Sequence, residues 1–162
     1  LVFNKTQFNG LKKGAELTNL INSYKLIIKE GNINIVPSST GAASAIGLVI
    51  PSLKGKLDGG ALRVPVTTGS VIDLTLELNR NTSVEELNHL FKSNANETVG
   101  FTMDPIVSSD IIGSHLGGLI DGQLTNVVEV DGKQLVKVVA WYDNEMSYSA
   151  QMVRTAKYLG NI

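Results

Sequence analysis

The sequence predicts an α+β fold, a mostly antiparallel or mixed sheet with helices packed on one face. Three observations predict it. Ile72, Leu74, Leu76 and Leu78 alternate with Asp73, Thr75 and Glu77, the period of a strand with one buried face. The run VVEVDGKQLVKVVAWYD breaks at Asp131-Gly132, a dipeptide that signals a hairpin. Helical patterns surround these strands, and the solid apolar runs of a doubly wound parallel sheet are missing.

The elements follow in chain order. Residues 1–31 read as an arm rich in Lys and Asn, carrying one amphipathic run, AELTNLINSYKLIIKE. Leu17, Leu20, Ile21, Tyr24 and Ile28 recur there at helical spacing, so a helix packed by one face is expected. Residues 32–162 read as the patterned body. NINIVP is expected to be a short strand ended by Pro37, after which Ser38, Ser39 and Thr40 offer N-cap oxygens to a helix through AASAIGLVI. Pro51 stops that helix, and the loop KGKLDGG leads into sheet from Arg63 onward. Ser83 and Glu86 have capping-box spacing and start the helix VEELNHLFKSN. A last helix is expected from about Ser147 to Tyr158. No internal repeat and no low-complexity segment interrupts the pattern.

Composition narrows the function classes. Of 162 residues, 43% are hydrophobic and 18% charged, which supports a folded core and argues against global disorder. The formal charge of −1 gives no electrostatic footprint for nucleic acid. No apolar run approaches a membrane span, and a cytoplasmic setting is expected. With no cysteine, the chain has no thiolate nucleophile, no disulfide and no Cys-ligated metal site.

Three places could carry chemistry, and each has a structural reading beside the functional one. Ser39-Thr40-Gly41 stands at a helix start, where outward N–H groups and the helix dipole favour an anion; it also makes an ordinary N-cap. Arg63, in ALRVP, could clamp phosphate bidentately or simply be a solvated or ion-paired residue at a strand end. In WYDNEMSYS, Asn144 could cap the final helix or hold a planar amide-bearing ligand. Asp143 there suits the helix dipole, and Trp141 and Tyr148 could anchor the core. His89 lies on a helix and His115 in a turn-rich loop, with no carboxylate at metal-ligand spacing, so no metal site is expected.

The segments PSSTGAASAIG, LKGKLDGGALRVPVTTGSVIDLTLEL, DPIVSSDIIG and LVKVVAWYDNEMSYSAQMVRT resemble the C-terminal catalytic domain of glyceraldehyde-3-phosphate dehydrogenases. They occur in that family's order, from about Asn34 to Ile162, and EMSYSAQMVRT is closest to bacterial enzymes of the Gram-positive type. The resemblance implies that Thr40 and Gly41 match positions holding phosphate or acyl-phosphate, and that Arg63 matches the arginine gripping the substrate phosphate. It implies that Asn144 matches the asparagine positioning the nicotinamide carboxamide of NAD, with Tyr148 supporting that pocket. It also implies an oligomer, since these domains build the family's subunit contacts.

The departures from that pattern concern catalysis. The family's Ser-Cys-Thr-Thr-Asn nucleophile motif does not occur, and neither histidine aligns with its general base. No dinucleotide-binding Rossmann segment precedes the match, so no cofactor is expected in this chain and no catalytic residue is assigned. Two readings follow. One is a non-catalytic structural or assembly protein, with vestigial binding positions at Thr40, Gly41, Arg63, Asn144 and Tyr148. It would form homo- or hetero-oligomers, and its N-terminal helix could dock on a partner. The other is part of an active NAD-dependent dehydrogenase whose nucleophile and cofactor domain lie outside this chain.

Overall fold

The computed structural model describes residues 35–161. The expected arm at residues 1–31 and its amphipathic helix lie outside the described residues. By its contacts the chain divides between Pro65 and Val66 into two compact units.

In the first unit, strand β1 (Val36–Ser38) pairs antiparallel with β2 (Ala61–Arg63). Proline does not end β1, as expected, but sits inside it. A two-stranded sheet has only edges, so a residue without an N–H costs no ladder bond on its open side. Helix α1 (Ala42–Val49) follows, and Pro51 opens a single 3-10 turn to Leu53 after the helix closes at Ile50. The helix is apolar yet open to solvent: Leu48 is 83% and Val49 81% exposed.

The second unit is built on β7 (Lys133–Tyr142), the longest strand. Along one edge it pairs antiparallel with β3 (Ser70–Leu76), in a register from Ser70 opposite Tyr142 to Leu76 opposite Val136. Its other edge is shared by β6 (Asn126–Val130), opposite Lys133–Lys137, and β5 (Gly118–Asp121), opposite Ala140 and Trp141. A parallel β4 (Val99–Thr102) flanks β5, so the sheet is mixed and mostly antiparallel, as expected. Asp131 and Gly132 both take positive φ, 52° and 74°, which makes the two-residue primed turn that Asp-Gly favours.

Helix α2 (Val84–Ser93) packs on the sheet face that carries Leu76, Val136, Val138, Ile120 and Val127. Its Leu87 joins Val136 and Val138 as the buried core, with Phe91 packed alongside. The Ser83 hydroxyl accepts the Glu86 N–H at 3.2 Å, half of the expected capping box. The other half is not made. The Glu86 carboxylate instead takes a fork of two N–H groups from Arg80 and the Thr82 hydroxyl. Helix α3 (Met146–Gly160) closes the described chain, with Ser147 its buried residue.

The strand alternation was legible, but not its burial. β3 ends at Leu76, so Glu77 and Leu78 fall beyond it, and Ile72 and Leu74 are 44% and 37% exposed.

Two outcomes test this packing. Val136→Ala, at a position 1% exposed, should cost about 2 kcal/mol in urea denaturation, whereas Val130→Ala, 64% exposed, should stay within about 0.5. The Arg80 fork, then the Thr82 hydroxyl, pull the Glu86 carboxyl down from 4.5 to about 2. Its stabilising effect is therefore complete above pH 4.5 and lost as pH falls toward 2. Carboxyl titration by NMR should show this low value in the native chain and a return toward 4.5 in Arg80→Ala.

Candidate functional site

The best-organised polar cluster lies where β7 runs into α3. Asp143, 3% exposed, is the residue that holds it together. Its Oδ1 accepts the N–H groups of Glu145 (2.8 Å) and Met146 (3.1 Å), and its Oδ2 accepts the Gly113 N–H at 2.7 Å. Its backbone carbonyl accepts the hydroxyl and the N–H of Ser147. One carboxylate thus caps α3 and ties the 103–117 loop to the end of the central strand. The Gly113 amide, then those of Glu145 and Met146, lower the Asp143 pKa, because each N–H favours the charged form.

Asp143 and not Asn144 accepts the first amides of the helix. Asp143 is turned inward beneath the helix start, while Asn144, next in the chain, is exposed. The Asn144 Oδ1 accepts the Ser70 hydroxyl at 2.9 Å, across the β3–β7 pair. That bond occupies the amide oxygen and leaves Nδ2 to present as a donor, which fits a contact to a carboxamide carbonyl. Tyr148, 69% exposed on the first turn of α3, does not anchor the core and stands free to flank a planar ligand. Trp141 is half-buried, and its Nε1–H donates to Asp121 at 3.0 Å. No described residue offers the Gly-rich strand–helix turn that would hold a dinucleotide's pyrophosphate.

In the first unit, Thr40 is the residue at the start of α1 whose side chain engages it. Its Oγ1 accepts the Ala42 N–H at 3.2 Å, whereas Ser38 donates to the Ser39 carbonyl. Gly41 is the N-cap at φ −81°, a conformation open to any residue, and a Cβ built there meets nothing within 4 Å. A ligand would have room. Arg63 is exposed and forms no ion pair with a described residue, yet the register places it opposite Val36 while Ser38 faces Ala61. Arg63 thus closes one end of the ladder, and Thr40 follows the strand at its other end. Thr40 and Gly41 are adjacent at the start of α1, and Arg63 ends β2.

The two histidines have partners of their own. His89 is exposed on α2 with Ser93 at 3.5 Å, and His115 offers its backbone carbonyl to Arg154 at 3.0 Å. Among the described residues no group of His, Asp or Glu could hold a metal ion. No helix among them is long and apolar enough to cross a membrane. Sequence reasoning missed Ser70 and Asp121 as partners of Asn144 and Trp141. No local motif marks either, because both bonds depend on strand register.

Comparison with known proteins agrees with the sequence resemblance. The family model for the C-terminal domain of glyceraldehyde 3-phosphate dehydrogenase matches residues 27–144. Glyceraldehyde-3-phosphate dehydrogenase of Streptococcus pyogenes is 61% identical over 134 residues, 83% of this chain and 40% of the relative. Those of Streptococcus dysgalactiae subsp. equisimilis and Clostridium pasteurianum are 60% and 58% identical, over 83% and 80% of this chain. The chain spans about 40% of the length of these curated relatives.

The Asp143 hub makes its own prediction. Because its pKa lies below the ordinary 3.8, the stability it contributes is present above that pH and is lost as pH falls further. Asp143→Ala should accelerate amide exchange at Gly113, Glu145 and Met146 together at neutral pH. Exchange at Leu87, in the α2 core, should change far less.

Proposed function

The chain belongs to the glyceraldehyde 3-phosphate dehydrogenase family, and we propose that it acts as a non-catalytic assembly domain of that family in a cytoplasmic setting. The observation that carries this reading is the exposure of β3, a strand in the larger sheet. Val71 is 50%, Ile72 44% and Leu74 37% exposed, apolar residues on both faces of one strand. Left in water, such surface favours association with other chains. Homo- or hetero-oligomers formed through this sheet would cover it.

Catalysis by this chain alone is disfavoured on chemical grounds. Oxidising an aldehyde to an acyl-phosphate through a covalent intermediate needs a nucleophile, and a thiolate is the strongest that side chains offer near neutral pH. The sequence has no cysteine. Among the described residues, the hydrogen bond that a histidine ring makes to a hydroxyl is the 3.5 Å contact of His89 with Ser93 on the helix surface.

The positions matching the family's ligand contacts are read as vestigial. Thr40 and Gly41 would receive a phosphate at the start of α1, and Arg63 would add a cation. Asn144, oriented by Ser70, would meet a nicotinamide carboxamide, with Tyr148 beside it. NAD would supply hydride acceptance, on a platform contributed by other sequence.

The test is an NAD-dependent aldehyde-oxidation assay on the purified chain, beside its native mass. An oligomer without turnover is expected. Turnover at ordinary enzymatic rates would overturn the non-catalytic reading, and a strict monomer would overturn the assembly reading. In a phosphate titration, Arg63→Ala should weaken any binding several-fold; unchanged affinity would remove Arg63 from the site.

A further inference from the structure

We propose that the Asp58–Gly59 bond is a site of spontaneous backbone modification, where Asp58 passes through a cyclic imide to a β-linked isoaspartate. The chemistry is intramolecular and needs no co-reactant but water. The Gly59 backbone nitrogen attacks Cγ of the protonated Asp58 side chain and a C–N bond forms. The nitrogen gives up its proton, and the carboxyl OH leaves as water. Water then adds to either imide carbonyl. Opening at the side-chain carbonyl restores aspartate. Opening at the main-chain carbonyl leaves the chain running through Cβ and Cγ, with a free carboxylate on Cα.

Asp-Gly occurs among the described residues at Asp58, Asp121 and Asp131, and the fold treats the three differently. Glycine favours the reaction at each, because no Cβ shields the nitrogen and the backbone turns freely. What separates them is whether carboxyl and amide are free to meet.

Asp121 is held on both sides. It is 3% exposed, and its Oδ1 accepts the N–H groups of Gln123 (3.0 Å) and Leu124 (3.2 Å). Its Oδ2 accepts the Trp141 Nε1–H, and the Gly122 N–H, which would have to attack, donates to the Thr102 carbonyl at 2.9 Å. Imide formation there would break these bonds at a buried group, where each orphaned partner is costly. Asp131 is exposed but fixed. It and Gly132 hold φ at 52° and 74°, and Val130 pairs with Lys133 across the turn. Ring closure would take Asp131 out of the primed turn and disturb the hairpin.

Asp58 has neither restraint. Residues 57–60 belong to no helix or strand, and Asp58 and Gly59 are exposed. The Gly59 N–H points at the side chain that it would attack, with Asp58 Oδ1 accepting it at 2.8 Å. The nucleophilic nitrogen and the carbon bonded to that oxygen are already neighbours. Gly60 follows, so two consecutive glycines let the backbone swing the nitrogen from the hydrogen bond onto the carbonyl face. That rotation falls before the ladder, because β2 begins at Ala61.

The test is ageing of the full chain in neutral buffer over weeks, followed by trypsin digestion and mass spectrometry. Asp58 falls in the peptide Leu57–Arg63, while Asp121 and Asp131 share Ser93–Lys133, so the sites are read separately. Leu57–Arg63 should divide into two species of equal mass. The new one should accept a methyl group from an isoaspartyl carboxyl methyltransferase and resist a protease that cuts before aspartate. Conversion should be several-fold faster there than in Ser93–Lys133, and this advantage should be lost in guanidinium, where only local sequence acts. Gly59→Val, shown to fold by circular dichroism, should slow it, because a branched side chain crowds the attacking nitrogen. Equal or slower conversion of Leu57–Arg63 in the native chain, or an unchanged rate in folded Gly59→Val, would overturn the site. Should that variant not fold, the native and denatured wild type decide alone: an advantage that survives denaturation would overturn selection of Asp58 by the fold.

Discussion

The second unit depends on the two-sided pairing of β7. One strand gives β3 its whole register on one edge and supports β5 and β6 end to end on the other. It contributes Val136, Val138 and Val139 to the buried set. A central strand with alternating buried valines fixes register strongly, because a slip by one residue would turn every one of them to the opposite face. The Asp131-Gly132 turn supports the same register locally, so the hairpin and the core require one pairing.

Where β7 ends, a single carboxylate takes over. Asp143 satisfies amides from the helix start and from the distant Gly113, so the position of the 103–117 loop is coupled to the start of α3. Buried acceptors that gather several N–H groups are strong organisers, since a donor left unpaired there would lose its water without replacement. The exposed Asn144 owes its position to this hub beneath it and its amide orientation to Ser70 on the neighbouring strand.

Much of this architecture could be read from residues alone, for identifiable reasons. The Asp131-Gly132 hairpin and the Ser83 cap are local chemistry, governed by a few adjacent groups, and both form. The long-range features were less legible. Alternation in β3 states which residues share a face but not what covers them, and Ile72 and Leu74 remain open. Pro37 reads as a strand end because a ladder needs N–H donors, yet an edge strand tolerates the missing one. Asn144 was weighed as the helix cap, but Asp143 accepts the amides, since which of two adjacent polar residues turns inward is a matter of backbone direction. The pairing of Arg63 opposite Val36 depends on the register of β1 and β2, which no spacing in the sequence reveals.

This distinction bears on how the family resemblance should be weighed. Asp143, Ser70 and Trp141 are bound into the fold by hydrogen bonds, so their match to the family pattern follows from needing that fold at all. Asn144 is partly of this kind, because its amide oxygen has a structural partner. Arg63 and Tyr148 are different. Arg63 pairs with no described carboxylate, and Tyr148 stands 69% exposed, so neither is explained by packing. Their match is what the proposed ligand positions rest on. The absence of any cysteine removes the thiol chemistry those contacts would serve in this chain. A domain in that condition keeps the means to fold, and the apolar surface its sheet exposes is what the proposed assembly rests on.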